Sequence, residues 1–341
     1  MTIRVLVADD SATVRTALVS LLSAEPDLVI VGQAVDGVEA VEKARALRPD
    51  VITMDVNMPR LDGLGATAAI MRDAPARVLV ICSVSEDRQL DLSFKAMAAG
   101  ALELIAKPGA GPEALREWGR HVAESVRLMA EVPVVRRYHP GAPALPLPLF
   151  AAVEVVGIVA STGGPPALAK ILAEMRDLRA PLLIAQHIAE GFTAGLVRWL
   201  DSVTGLGVEI ARDGGRLEAG HAYVAPDGCD LTVAAGGIMR TPPGTALHCP
   251  SGNRLLHSLA KQYGGAAAGF VLTGMGDDGA QGLLALRQAG GQTFAQDEAS
   301  SVVYGMPHAA WACGAVRQQL SLDSVGPVLQ QLCGDRHARN G

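Results

Sequence analysis

Acidic residues stand where apolar runs stop. The run Ile3-Arg-Val-Leu-Val-Ala closes on Asp9-Asp10, and Val51-Ile-Thr-Met closes on Asp55. Ser83 follows Val78-Leu-Val-Ile-Cys82, and Lys107 sits just past Ala101-Leu-Glu-Leu-Ile105. Clustered carboxylates repel one another unless a hard cation such as Mg²⁺ bridges them. A hydroxyl and an ammonium beside that cation suit a phosphoryl group carried on one carboxylate. This is the chemistry of a phosphorylation switch, and its residues occupy only the first third of the chain.

A second group lies downstream. Ser161 follows Gly157-Ile-Val-Ala160 and precedes Thr162-Gly-Gly-Pro165, His187 ends Leu182-Leu-Ile-Ala-Gln186, and Asp277-Asp278 lie in Leu272-Thr-Gly-Met-Gly-Asp-Asp-Gly279. A serine nucleophile needs a base within hydrogen-bond reach, and the base needs a carboxylate to fix its tautomer. Gly163, Gly164, Gly274 and Gly276 would let backbone N–H groups approach an oxyanion closely. Taken singly, the same residues suit a helix cap or phosphate cradle, a core histidine and an ordinary helix start. Gly274-Met-Gly-Asp-Asp-Gly279 also fits GxGxxG, with Asp297 where a ribose-binding acid would stand. Two carboxylates against a pyrophosphate, and little sheet downstream, rank a nicotinamide-dependent oxidoreductase second. His121, His139, His248, His257 and His337 read as solvated residues, and His221 and His308 as structural.

These residues need strands to bring them together. Strands read at about 3–8, 28–33, 51–54, 78–82 and 102–105, alternating with helices at 12–24, 37–47, 64–72, 87–99 and 113–130. That rhythm is a doubly wound, flavodoxin-like α/β domain with a parallel sheet, and its ligand site lies at the carboxyl ends of the strands. Ser11 suits the cap of the first helix. From Ala130 the pattern dissolves into a proline-rich stretch, which reads as an extended linker. A second α/β domain opens with a strand at 153–160. Further strands read at 182–186, 208–211, 222–225, 231–234, 269–273 and 292–295, and helices at 165–175, 191–203, 253–263, 279–289 and 323–333. Residues 212–252 read as hairpins and loops. The expected division is a first domain at 1–125, a linker at 126–150 and a second, mostly parallel-sheet domain at 151–341.

The 341 residues are 49% hydrophobic, enough for two cores, and carry a net charge of −6. No basic block appears and aromatics make up only 4%, which argues against nucleic acid as a partner. The five cysteines are scattered without a CxxC, so a disulfide framework or zinc cluster is not expected and a reducing cytoplasm is the simplest setting. Met1-Thr-Ile-Arg enters a strand directly, leaving no room for a signal peptide. The apolar stretch 145–160 is broken by Pro146, Pro148 and Glu154 and is too short to span a bilayer.

The first domain resembles a response-regulator receiver, through Asp9-Asp10, Met54-Asp-Val-Asn-Met-Pro-Arg-Leu-Asp-Gly-Leu64, Ser83 and Lys107-Pro108. The second resembles the catalytic domain of the chemotaxis protein-glutamate methylesterases. The matching stretches are Ala160-Ser-Thr-Gly-Gly-Pro165, Gln186-His187 with Gly191-Phe-Thr-Ala194, Leu272 to Ala280, and Gln296-Asp-Glu with Tyr304-Gly-Met-Pro307. The resemblance implies that Asp55 is the phosphoacceptor. It implies too that Asp10, Asp55 and the Asn57 carbonyl hold Mg²⁺ with Asp9 in support, and that Ser83 and Lys107 contact the phosphoryl group. It further implies Ser161 as nucleophile, His187 as base, Asp278 as its orienting acid and the Met275 N–H as oxyanion donor, with no cofactor for the hydrolysis. The implied substrate is a glutamate methyl ester on the cytoplasmic helices of a chemoreceptor, with receptor glutamines as a second substrate and a chemotaxis histidine kinase as phosphodonor. Three departures stand out. Asn57 replaces a frequent glutamate, Pro250-Ser-Gly-Asn253 replaces Pro-Ser-Val-Asp, and Asp230 stands where histidine is frequent.

Overall fold

The computed structural model describes residues 2–83, 87–109, 111–132, 151–176, 178–245 and 248–334. The chain folds as two compact units, residues 1–138 and 139–341. The first contains β1 (Ile3–Ala8), α1 (Ala12–Ser23), β2 (Leu28–Ala34), α2 (Gly37–Leu47) and β3 (Val51–Asp55). It continues through α3 (Gly63–Asp73), β4 (Arg77–Cys82), α4 (Asp87–Ala99), β5 (Glu103–Ala106) and α5 (Pro112–Glu131). The strands form one parallel sheet in the order β2-β1-β3-β4-β5. Helices cover both faces of such a sheet, which is why β3 and β4 read as unbroken apolar runs rather than alternating ones. Ser11 caps α1 as its position predicts, accepting the Val14 N–H. Helix α5 spans the boundary expected between 125 and 126. Residues 133–150 of the expected linker lie outside the described residues.

The second unit opens with β6 (Val155–Ala160), α6 (Gly164–Ala173), β7 (Leu182–Gln186), α7 (Thr193–Val203), β8 (Gly207–Ile210) and β9 (His221–Val224). A small antiparallel hairpin follows, β10 (Thr232–Ala234) with β11 (Ile238–Arg240). Then come α8 (Gly252–Tyr263), β12 (Ala267–Val271), α9 (Ala280–Gln288), β13 (Gln292–Gln296), α10 (Met306–Ala312), β14 (Gln318–Leu320) and α11 (Leu322–Cys333). Seven strands make a parallel sheet in the order β14-β13-β12-β6-β7-β9-β8. From β6 the chain builds outward to β7, β9 and β8, then returns to add β12 on the other side of β6. The sequence reading lacks β11, α10 and β14, which are short and carry no clear period.

Both sheets place their chemistry at a switch point, where successive connections leave in opposite directions and open a crevice at the strand ends. In the first sheet that point lies between β1 and β3, which end at Asp9 and Asp55. In the second it lies between β6 and β12, which lead to Ser161 and to the loop 272–279.

Helices α8 and α9 approach this second crevice closely because the sheet beneath them is hollowed. Gly157 and Gly269 are paired across β6 and β12. A Cβ on Gly157 would stand 2.7 Å from Leu259 and 2.9 Å from Leu256, and one on Gly269 would stand 2.7 Å from Leu283. The apolar stripe of α8, Leu255, Leu256 and Leu259, fills the hollow and is fully buried. At the first residue of α8 the fit is tighter still, since a Cβ on Gly252 would lie 2.2 Å from Val159 Cγ1. Gly252→Val should therefore destabilise the protein by about 1–3 kcal/mol through overpacking. Adding Val159→Gly should recover most of that loss. Thermal unfolding of the two single variants and the double variant measures this, and additive losses would mean the two sites do not share space.

Candidate active site

The end of β6 and the end of β7 lie side by side. Ala160 pairs with Gln186, so the next residues, Ser161 and His187, leave neighbouring strands at the same level. The His187 N–H donates to the Ala160 carbonyl at 2.8 Å, the last bond of that ladder. On the other side of β6, the Ser161 N–H donates to the Thr273 carbonyl at 3.0 Å, which draws the loop after β12 against the serine. Gly274 is required at that point, because a Cβ there would lie 2.6 Å from Ser161 Cβ and 2.4 Å from Met306 Sδ.

Of the two adjacent aspartates, the structure uses one. Asp278 is buried and its Oδ2 lies 2.9 Å from His187 Nε2, while Asp277 is exposed. With the ring neutral, Nε2–H donates to Asp278, and Nδ1 carries the lone pair available to a hydroxyl. The same carboxylate sits on the N-terminus of α8. It accepts the Gly252 N–H at 2.6 Å, the Asn253 N–H at 3.0 Å and the Ser251 hydroxyl at 3.3 Å. Those N–H groups have no partners inside the helix, and the dipole end favours an anion. Burial opposes the charge on Asp278, but the His187 hydrogen bond and the Asn253 and Gly252 amides outweigh it and hold the carboxyl below its ordinary range.

The loop between them turns sharply, with φ of +86° at Gly276 and +89° at Gly279. The Gly274 carbonyl accepts the N–H groups of Gly305 and Met306 at 3.1 and 2.8 Å, which braces the loop from behind. Met275 is 54% exposed at the rim, and its N–H donates to no other described residue. The glycine spacing that also suits a dinucleotide fingerprint thus serves a loop that wraps a buried acid. Asp297 is engaged locally, accepting the Ser300 N–H at 3.0 Å and its hydroxyl at 2.5 Å.

In the first unit, carboxylate oxygens of Asp9, Asp10 and Asp55 lie within 4.8 Å of one another. Asp9 and Asp55 are buried and Asp10 is exposed. Lys107 Nζ reaches Asp55 at 2.8 Å and Asp9 at 3.1 Å. Burial and the charge of Asp55 push the Asp9 carboxyl above its ordinary range, against the pull of Lys107. One ammonium is too little positive charge for this pocket. Hard oxygen donors around a charge deficit fit a cation such as Mg²⁺. Ser83 follows the last residue of β4, and Asn57 is exposed two residues beyond Asp55.

Comparison with known proteins matches each unit to a family. A family model described as CheB methylesterase matches residues 156–329, and one described as response regulator receiver domain matches residues 5–118. A protein-glutamate methylesterase/protein-glutamine glutaminase of Myxococcus xanthus (strain DK1622) is 55% identical, over 99% of this chain and 96% of that relative. The chain belongs to the protein-glutamate methylesterase/protein-glutamine glutaminase family. A second member, from Anaeromyxobacter dehalogenans (strain 2CP-C), is 46% identical over 96% of this chain and 98% of its own length. The crystal structure of the Thermotoga maritima CheB methylesterase catalytic domain is 30% identical and superposes with a TM-score of 0.51, covering 53% of this chain and 100% of that one.

The departures from the family pattern have physical accounts in the second unit. Gly252, where the family has valine, faces a β6 residue, Val159, that already fills the space. Asn253 keeps the acceptor of the usual aspartate, and its Oδ1 takes the Gly282 N–H at 2.8 Å, tying α8 to α9. Asp230 is fully buried, accepts the Ser251 N–H at 2.7 Å and pairs with Arg254 at 2.5 Å, so it steadies the cap that holds Asp278. Nothing in the structure explains Asn57.

One residue assigned no role from sequence belongs to this site. The His248 ring stacks on His187, with centroids 5.3 Å apart and planes 11° from parallel. Its position just before Pro250-Ser251, whose neighbours reach Asp278, is the signal that could have found it. His221 and His308 pack against Tyr223 and Tyr304 as structural residues. His139 and His337 lie outside the described residues.

A carboxyl held below its unfolded value of 3.8 stabilises the fold fully above that value, and the contribution is lost as pH falls through the lowered one. The stability difference between wild type and Asp278→Asn should therefore be constant near neutrality and shrink below about pH 4. Acid unfolding followed by circular dichroism reads this. A difference that stays constant into strong acid would mean that the α8 amides and His187 do not stabilise the charge.

Proposed function

We propose that this chain hydrolyses methyl esters on glutamate side chains of chemoreceptors, under control of phosphorylation at Asp55. The observation that carries the reading is the His187–Asp278 pair, seated on the N-terminus of α8 beside Ser161 at the β6/β12 crevice. In this reading the Ser161 hydroxyl attacks the ester carbonyl while His187 Nδ1 accepts its proton. Asp278 keeps the proton of the neutral ring on Nε2 and then stabilises the imidazolium. The carbonyl oxygen becomes an oxyanion that the Met275 N–H would receive. Collapse breaks the C–O bond, His187 returns the proton to the departing oxygen, and methanol leaves. Water, deprotonated by the same imidazole, then attacks the acyl-serine and releases the glutamate carboxylate. A receptor glutamine follows the same route with ammonia as the leaving group. That second activity appears in the printed names of the relatives.

In the first unit Asp55 is proposed to take a phosphoryl group from a histidine kinase, its carboxylate oxygen attacking phosphorus as the P–N bond breaks. Asp10, Asp55 and the Asn57 carbonyl, with Asp9 in support, would hold Mg²⁺, which when bound neutralises charge on the incoming phosphoryl group. Lys107, already against Asp55, would pair with a phosphoryl oxygen, and Ser83 at the end of β4 would donate to another. Residues 1–125 would form this regulatory module and 151–341 the hydrolase. No described helix is long and apolar enough to cross a membrane. A cytoplasmic enzyme working on the cytoplasmic helices of its receptors is in keeping with that.

Methanol release from methylated receptor membranes, with and without a small phosphodonor, tests the reading. Ser161→Ala should lower the rate by at least about a thousandfold with the fold intact, because a triad serine has no substitute. Asp278→Asn should cost about 10³–10⁴, and Asp277→Asn little. A tenth of wild-type activity in Ser161→Ala would remove that residue from its role.

Asp55→Asn preserves volume but cannot form an acyl phosphate. Its basal methanol release should match that of the wild type, and the phosphodonor should no longer raise it. Stimulation that persists in this variant would place the phosphoacceptor elsewhere.

A further inference from the structure

Two carbonyl groups at the crevice share one donor. Gln186, the last residue of β7, is 2% exposed, and its Nε2 donates to the Ser161 carbonyl at 2.9 Å and to the His187 carbonyl at 2.8 Å. The orientation of the amide is fixed by chemistry, since only the NH₂ end can face two carbonyl oxygens. Beyond the Ala160–Gln186 pair the strands part, β6 into a left-handed turn at Gly163 and β7 into a loop. Among the described residues no ladder bond joins β6 and β7 past the His187 N–H, and the Gln186 side chain bridges them there.

The other end of the same amide meets no hydrogen-bond donor among the described residues. Gln186 Oε1 is buried, lying where a Cβ on Gly164 would come within 2.1 Å. A buried acceptor without a donor is a cost that the two hydrogen bonds from the NH₂ end have to offset. A leucine or methionine would fill the same space without that cost, but would leave both carbonyls unbridged.

We propose that Gln186 is a positioning residue for the hydrolysis: its single NH₂ group cross-braces the backbones that carry Ser161 and His187 and so sets the approach of the hydroxyl to the imidazole. The inference rests on the reading of those two residues as nucleophile and base. Gln186 touches neither substrate nor reacting atom in this account. It acts because a proton transfer between hydroxyl and ring demands a separation held to a fraction of an ångström, and a misplacement of about 1 Å costs about 10²-fold. A brace of this kind affects turnover more than substrate capture, which is spread over the receptor surface.

The test compares full-length Gln186→Met and Gln186→Glu with wild type and with Ser161→Ala, using methanol release from methylated receptor membranes. Gln186→Met keeps length and burial but has no donor. Gln186→Glu keeps shape and sets oxygen against both carbonyls. Rates are expressed per folded molecule, with the folded fraction taken from thermal unfolding. Gln186→Met should lower kcat by about 10–100-fold with KM within about twofold, and Gln186→Glu should lower it at least as far. The rate of inactivation by a serine-directed phosphonate should fall in parallel, because that reaction also needs the aligned pair. Wild-type kcat per folded molecule in either variant would overturn the proposal. So would a rise in KM without a fall in kcat. If Ser161→Ala itself remains active, the nucleophile assignment fails instead, and that outcome is separate from both.

Discussion

The second unit depends on one buried carboxylate. Asp278 gathers a ring N–H, two helix N-terminal amides and a serine hydroxyl. The ring follows β7, the other three donors are the consecutive residues 251–253 at the start of α8, and Asp278 itself follows β12, so the carboxylate ties these three elements to one point. Helix α8 can reach that point only because Gly157 and Gly269 leave room for its leucines and Gly252 leaves room for Val159. The small residues of the sheet and the charge at the rim are therefore parts of one arrangement. Removing the hollow would lift the helix and leave the acid buried without its donors, which costs more than the packing itself.

The two sheets solve the same topological problem with different groups. Each leaves a crevice at a switch point, and each lines it with polar residues that no strand interior could tolerate. In the smaller sheet the crevice holds three carboxylates and an ammonium. In the larger it holds a hydroxyl, an imidazole and an acid. The parallel ladder does the positioning in both cases, since registers such as Ala160 with Gln186 decide which side chains emerge together.

Much of this is legible in the chain because strand-end residues carry their chemistry just after an apolar run. Asp9, Asp55, Ser161 and His187 can be read that way, and their strands are long enough to show a pattern. What escapes is contact between elements distant in sequence. Nothing near Asp278 says that the amides of residues 252 and 253 will seat it, and the place of His248 just before Pro250-Ser251 hints at the site without saying that its ring will lie on His187. Gln186 is a neutral amide at a strand end, and its pair of donated hydrogen bonds to two carbonyls exists only once β6 and β7 pair. The short elements β11, α10 and β14 lack enough residues to show a period at all. The expected strand at 269–273 starts and ends two residues late, because Leu272 still donates to the Val159 carbonyl and the Thr273 carbonyl still accepts from Ser161 beyond the end of β12 at Val271.

Two buried aspartates of these crevices, Asp9 and Asp278, differ in the direction their environments push them, and that difference separates what each can do. Asp9 is raised by burial and by a like charge, with one ammonium too few to compensate. A pocket in that state gains by taking up a cation, and a reaction that needs a metal beside a phosphoryl group can draw on the gain. Asp278 is buried as well, but its donors more than offset the desolvation and it is lowered. An acid so fully satisfied is a poor nucleophile and a poor proton acceptor, and it has no spare affinity for a metal. What it can do is hold an imidazole in one tautomer and accept the growth of positive charge on that ring without moving. Residue type and burial are shared by the two aspartates; the count of donors around each decides whether the carboxylate recruits a ligand or fixes a base.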